Sequence, residues 1–157
     1  MKTMFLLDHT GFSEQNYVII KEINDTIADR LDEVSIAVSD VTTKVAEVAT
    51  AITNVAEIGC FQNGALIAIN IINASQILTA HASSRKVLYL WDLDWLHAVF
   101  NYEWLHDVLS NENLEIIVRT EADRKALLNL CDKEPIGILQ NFKLEQLWNL
   151  LENTKTK

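Results

Sequence analysis

Short runs of apolar, mostly β-branched residues alternate with helical segments along the whole chain. The runs are short and lack helical spacing, which is typical of buried strands. Six of them predict strands over residues 3–8, 34–39, 56–61, 87–91, 114–119 and 136–140. Because each run is followed by a helical segment, the pattern predicts a doubly wound, mostly parallel sheet with right-handed crossovers. We expect a Rossmann-like α/β fold with strand order 3-2-1-4-5-6.

The segments between these runs carry apolar residues at three- and four-residue spacing, or are apolar nearly all round. They predict helices over residues 14–31, 42–54, 65–81, 101–110, 121–132 and 143–155. The start of the third helix is marked by Asn63 and Gly64. The sequence contains no linker and no internal repeat, so we expect one domain over residues 1–157, long enough to bury a single core.

Charge and cysteine content narrow the classes of function. Thirteen basic and 22 acidic residues give a net charge of −9, which disfavours a basic nucleic-acid groove and binding to anionic lipid. Cys60 and Cys131 lack metal-ligand spacing and are interpreted as thiols of a reducing compartment. The N-terminal apolar run is too short for a signal peptide, and no run approaches a membrane span. These features predict a cytoplasmic protein.

In a doubly wound sheet, ligands bind beyond the carboxyl ends of the strands, near the switch point between the first and fourth strands. The polar residues and glycines after the predicted strands are His9, Thr10, Gly11, Asp40, Gln62, Asn63, Gly64, Asp92, Asp94, Arg119, Thr120, Glu121 and Asn141. The turn after the first strand has a single glycine, so the dinucleotide fingerprint and the phosphate loop are both absent. We expect no cofactor. The scattered histidines predict no metal site, and Asp40 is interpreted as a helix cap.

Asp92 and Asp94 form an Asp-x-Asp pair directly after a predicted strand. Such a pair can hold a metal, anchor a sugar nucleotide or begin a phosphoryl transfer. Here Trp95 and Leu96 follow, where phosphatase-type motifs have a small and a hydroxyl residue. The pattern therefore favours a helix cap or an ion pair for one carboxylate. We expect Asp92 to face the ligand cleft and Asp94 to begin the next helical turn.

Three stretches carry a resemblance to a known family: VLYLWDLDWL, LEIIVRTEADRKALLNLC and IGILQNFKLEQLWNLL. They resemble the N-terminal Rossmann-like half of two-domain (GT-B type) glycosyltransferases, especially the glycosyltransferase-like proteins of tailed phages. The similarity spans most of residues 58–151. The matching turn after a strand is Arg119, Thr120 and Glu121. In the two-domain enzymes this half usually faces the acceptor and the other half holds the sugar nucleotide. For a phage protein, the cytoplasm is that of the host cell.

The resemblance implies a domain that binds an acceptor or a nucleotide-type ligand at its strand ends, without an evident donor-binding half, so catalysis stays open. On this hypothesis Gly11 allows close backbone approach, and Asn63 and Gly64 supply a helix N-terminus. Arg119, beside Glu121, pairs with an anionic group, and Asp92 is the best candidate for a general base. The expected partner is a sugar, a nucleotide or a protein acceptor.

An alternative is a non-catalytic interaction protein on the same scaffold. It works as a homodimer or binds a host or viral protein. The features behind it are the aromatic residues Trp95, Tyr102, Trp104 and Trp148, because aromatic side chains at a polar border often anchor interfaces. The competing interpretation is that these side chains only cover the sheet.

Overall fold

The computed structural model describes residues 1–11, 13–27, 33–44, 47–81, 83–96 and 99–154, with the backbone alone for residues 40–44. Within these ranges, seven strands form one sheet in the order β3-β2-β1-β4-β5-β6-β7, and all neighbouring pairs are parallel. The strands are β1 (Thr3–Thr10), β2 (Val34–Lys44), β3 (Ala51–Asn54), β4 (Ala65–Ala68), β5 (Arg85–Leu90), β6 (Leu114–Val118) and β7 (Gly137–Ile138). The predicted Rossmann-like α/β class and parallel sheet are confirmed, with seven strands instead of six.

Five α-helices accompany the sheet. They are α1 (Glu14–Thr26), α2 (Ile71–Thr79), α3 (Tyr102–Ser110), α4 (Glu121–Cys131) and α5 (Leu144–Thr154). Four of them begin at a side-chain cap that accepts a hydrogen bond from the amide three residues later: Ser13, Asn70, Asn101 and Thr120. Each cap satisfies an amide that has no partner within its own helix. The caps explain why the helices begin where they do, close to the carboxyl edge of the sheet.

Successive strand residues point to opposite faces of the sheet. Both faces carry apolar side chains, and helices cover both of them. Along β1, Phe5 and Leu7 pack in one buried cluster with α1 and α5. Met4 and Leu6 pack in a second cluster with α2, α3 and α4. Both clusters span the central strands, so the two faces of one sheet hold the core.

The second and third connections differ from the prediction. The predicted strand over residues 56–61 is wrong, since a 3-10 helix occupies Val55–Cys60. Part of the helix predicted over 42–54 is strand: β2 continues to Lys44, and β3 forms the far end. The helix predicted over 65–81 begins only at Ile71, and its first residues form β4. The apolar run before Asn70 is therefore a buried strand that joins a partly buried helix through Ile69 and the cap residue Asn70.

The switch point of the sheet lies between β1 and β4. The predicted neighbour of β1 was the strand at 87–91, but β4 lies between β1 and β5. The carboxyl end of β4 therefore lies beside that of β1, and Asp92 and Asp94 follow β5, one strand farther away. Asn63 and Gly64 precede β4, so they lie at the amino edge of the sheet, and their prediction as a helix N-terminus was wrong.

Candidate ligand-binding site

The N-terminus of α2 lies at the switch point, where a doubly wound fold would place a ligand. Asn70 caps α2 by accepting from the Asn73 amide at 2.8 Å, and its own amide group donates to Asp8 Oδ2 at 3.0 Å. Asp94 Oδ2 accepts from the Ile71 amide at 3.3 Å. Asp94 also begins a 3-10 helix, as predicted. Asp94 therefore occupies one amide of this helix N-terminus, and Asp8 binds the side chain of its cap residue, where a ligand phosphate would otherwise be stabilised.

The turn after β1 is also closed by internal hydrogen bonds. The Gly11 amide donates to His9 Nδ1 at 2.9 Å, and Asn16 Nδ2 donates to the His9 carbonyl at 2.8 Å. Because His9 Nδ1 accepts, the ring proton of neutral His9 belongs on Nε2. Gly11 is buried, and its amide already has a partner. The structure thus gives Gly11 a role in the turn instead of the open backbone that was expected for a ligand.

A cleft of about 420 Å³ opens on the α1 and α5 side of the sheet. It lies between α1 and the connection from β7 to α5, and it reaches the carboxyl ends of β5 and β6. Its lining consists of Glu14, Tyr17, Val18, Lys21, Glu22, Asp25, Trp91, Arg119, Gln140, Asn141, Phe142 and Lys143. Arg119 and Asn141 were expected at the strand ends, and the structure brings them together here.

Arg119 is the most distinctive residue in this cleft. Its guanidinium carbon lies 4.2 Å from the centroid of the Trp91 ring, and Nη1 donates to the Trp91 carbonyl at 3.4 Å. Its Nε is buried and has no hydrogen-bond partner among the described residues. No described carboxylate forms an ion pair with it. Arg119 is therefore held in place by an aromatic ring while part of its donor capacity is unused.

Tyr89 supports this arrangement from within the core. Its ring packs edge-on against Trp91, with 6.1 Å between the centroids, and its hydroxyl donates to the Leu139 carbonyl at 3.0 Å. Burial raises the pKa of Tyr89 to about 12, although the positive charge of Arg119 acts in the opposite direction. Tyr89 is therefore a neutral donor near physiological pH, and its packing and hydrogen bond help to fix the position of Trp91.

The rim of the cleft carries charges of both signs. Lys143 Nζ donates to Glu22 at 2.7 Å, and this bond raises the pKa of Lys143. The other oxygen of Glu22 accepts from the Leu144 amide at 3.2 Å, which satisfies the first turn of α5. The lining as a whole has three acidic and three basic side chains. A small ligand therefore meets no strong net field of either sign.

The remaining predicted site residues do not line this cleft. Asp92 is exposed and does not line this cleft, so its predicted place beside a ligand stays a prediction. Glu121 pairs with Arg124 at 2.7 Å on α4. Asn63 and Gly64 lie at the opposite edge of the sheet. Asp40 lies within β2, and its side chain falls outside the described residues.

No metal site emerges from the residues that the structure describes, because none of their His, Cys, Asp and Glu side chains gather in groups of three or more that could hold an ion. Cys60 and Cys131 are both free thiols. Sequence reasoning missed Tyr17 and the Glu22–Lys143 pair as cleft residues. Tyr17 is 54% exposed although it lies on α1 beside buried apolar residues. A large aromatic residue off the apolar stripe of a helix was the available signal.

The aromatic residues proposed as interface anchors separate into two groups. Trp148 is buried, and its Nε1 donates to Thr3 Oγ1 at 2.8 Å. Trp104 stacks on Phe100 with 5.6 Å between the ring centroids and is half-buried, as is Trp95. Tyr102 is 61% exposed. Trp148 therefore belongs to the core, whereas Tyr102 is exposed at the start of α3 and follows the exposed Leu96 and Val99 in sequence.

The chain matches no protein-family model, no curated protein and no solved structure. Within the described ranges, every helix is too short or too polar to cross a membrane. The geometry of the cleft is therefore the main guide to function.

Proposed function

We propose that the chain is a glycosyltransferase-like domain that binds an acceptor or a nucleotide-type ligand in the cleft between α1 and the β7–α5 connection. The observation that carries the proposal is Arg119, which lines the cleft beside Trp91 and has a buried Nε with no partner among the described residues. A buried donor that lacks an acceptor costs free energy. An anionic ligand group would supply that acceptor.

The position of the cleft supports the same proposal. Ligands of doubly wound folds bind outside the carboxyl ends of the strands, and Trp91 and Arg119 directly follow β5 and β6. Gln140 and Asn141 add amide groups from the end of β7, and the ring of Tyr17 is available for contact with a sugar or a base. The proposal concerns binding, since Asp92, the candidate base, lies outside this cleft.

Isothermal titration calorimetry tests the proposal with two panels of compounds, nucleoside diphosphate sugars and sugar phosphates. We expect saturable heat from at least one panel and a loss of affinity of about tenfold or more in Arg119→Gln, since a charge-assisted hydrogen bond is removed. Arg124→Gln is the matched control, because Arg124 is paired with Glu121 and Glu134 outside the cleft. The proposal fails if the parent chain gives no saturable heat, or if Arg119→Gln binds as the parent does.

A second candidate function is homodimerisation through the connection between β5 and α3. Leu96 is 65% exposed, Val99 is fully exposed, and Tyr102 projects from the first turn of α3 nearby. Exposed apolar side chains that follow one another along a surface are typical of interfaces. The mass in solution decides between the two candidates. Sedimentation equilibrium would give a dimer that Leu96→Ser and Val99→Ser dissociate, whereas a monomeric parent at 100 µM would eliminate this candidate.

A further inference from the structure

The helix N-terminus at the switch point is closed to a phosphate group. The α2 N-terminus at the switch point already binds Asp94 through the Ile71 amide, and its cap residue Asn70 binds Asp8. A ligand phosphate placed there would meet two carboxylates at short range, which is unfavourable. The α2 N-terminus is therefore a poor site for an anionic group that reaches the carboxyl edge of the sheet.

The donors of Arg119 that have no acceptor among the described residues have a definite geometry. Nη1 is turned toward the Trp91 carbonyl, whereas neither Nε nor Nη2 has an acceptor among the described residues. In a guanidinium group, Nε and Nη2 lie on one edge, and their N–H bonds point in the same direction. This edge matches an acceptor that carries two oxygens in one plane. We call this Nε and Nη2 edge the fork of Arg119. Contact with the Trp91 ring holds the fork in its orientation before a ligand arrives.

The charges around the fork limit how many anionic groups the ligand carries. Lys143, the basic side chain nearest to the α5 end of the cleft, is already paired with Glu22. Glu14 and Asp25 offset Lys21 and Arg119 in the same lining. The whole chain carries a net charge of −9. A polyphosphate would therefore find one free fork in a lining without net positive charge, on a chain that is acidic as a whole, while a single terminal anion would find an adequate partner.

Building on the proposed function, we propose that the cleft recognises one terminal oxyanion, a carboxylate or a phosphate monoester, bound side-on to Nε and Nη2 of Arg119. The ligand is then of the acceptor type, with its uncharged part directed toward Tyr17 and Asn141. A nucleoside diphosphate is the poorer fit, because its second phosphate would find only Lys21, whose charge is offset by the acidic side chains of the lining, and no open helix N-terminus at the switch point.

Side-chain NMR tests this proposal directly on the parent chain. The Nε–H resonance of Arg119, assigned through its side-chain carbons, is followed during titration with acetate, inorganic phosphate, inorganic pyrophosphate and uridine diphosphate glucose at constant ionic strength. We expect a saturable shift with acetate or phosphate, and pyrophosphate binding less than about tenfold tighter than phosphate. The two simple anions distinguish the carboxylate from the phosphate source. Arg85 and Arg124 serve as internal controls, since their Nε groups already donate to Glu115 and Glu134.

Arg119→Lys separates the fork from the charge. Lysine keeps the positive charge but cannot present two coplanar donors, so we expect the affinity for phosphate or acetate to fall about tenfold, as read from the cleft backbone amides. An unmoved Arg119 Nε–H, a strong preference for pyrophosphate, or full affinity in a folded Arg119→Lys variant overturns the inference.

The same titration distinguishes this inference from the proposed function. If uridine diphosphate glucose shifts the amides of Asn141 and Lys143 while the Arg119 Nε–H stays unchanged, and Arg119→Gln still weakens that binding, the inference fails and the proposed function stands. If no probe shifts any cleft resonance, both fail.

Discussion

Asp92 and Asp94 stand one residue apart, yet the structure gives them different surroundings. Asp94 accepts from the Ile71 amide at the start of α2, whereas Asp92 is exposed. We expect Asp94→Ala to lower the free energy of unfolding by about 1 kcal/mol, as for the loss of a helix-terminal acceptor. Asp92→Ala should change it by less than about 0.5 kcal/mol. Urea unfolding measures both. A magnesium-dependent rise in Tm of the parent that vanishes in both variants would contradict this assignment.

The buried hydroxyl of Tyr89 predicts how the stability of the protein changes in alkaline solution. Burial raises its pKa to about 12, and an unfolded tyrosine titrates near pH 10. Because the folded state holds the proton longer, the stability from this group is complete below about pH 10 and is lost as pH rises toward 12, by about 2 kcal/mol. Tyr89→Phe should remove this loss, and Tyr102→Phe, at an exposed site, should keep it. Parallel curves of unfolding free energy against pH for the parent and Tyr89→Phe would refute the assignment.

At the scale of elements, Gly64 allows the close approach of the chain to β1 at the start of β4. A Cβ atom at Gly64 would lie 2.5 Å from the Lys2 carbonyl oxygen and 2.8 Å from the Phe61 ring. The Lys2 carbonyl cannot move freely, since it accepts from the Ala65 amide. We expect Gly64→Ala to destabilise the protein by about 2 kcal/mol or more. Gly59→Ala is the control, because a Cβ there would meet nothing within 4 Å. Equal melting temperatures for the two variants would count against this view of the β1–β4 contact.

The elements also show what the sequence can predict. Apolar spacing was sufficient for α1 and α5, whose inner faces are buried in the first cluster. It failed for β4, because β4 and α2 together form one nearly continuous apolar run, and periodicity does not separate the strand from the helix. The β3 segment failed for the opposite reason: its four residues are exposed or half-buried at the sheet edge, so they carry no strong apolar signal.

At the scale of the whole molecule, α5 completes the core on its side of the sheet. Leu144, Leu147, Trp148 and Leu151 are buried there. At about 2 kcal/mol for each buried apolar side chain, their loss would approach the whole stability of a typical domain. We therefore expect a chain of residues 1–143 to lack cooperative thermal unfolding by circular dichroism. Addition of a peptide of residues 143–157 should restore it. Cooperative unfolding of residues 1–143 alone would show that α5 is dispensable.

Part of the candidate site could be predicted from the topology of the whole sheet. The rule that ligands bind at carboxyl strand ends selected Arg119 and Asn141, which both line the cleft. It also selected Asp92 and Gly11, because it gives the edge of the sheet but not which side a residue faces. Glu22 and Lys143 meet across 121 positions of sequence. No local pattern contains such a contact, since tertiary packing alone creates it.

The bond between Thr3 and Trp148 spans 145 positions, and this separation affects how the chain can fold in a cell. β1 leaves the ribosome before its sheet neighbours β2 and β4, and α5 emerges last of all the described elements. A nascent chain therefore leaves part of one apolar face of its central strand uncovered until α5 is made. Long-range parallel pairing of this kind folds slowly, and incomplete chains with exposed strands tend to aggregate. The net charge of −9 on the chain disfavours association of such chains before the last helix covers the sheet.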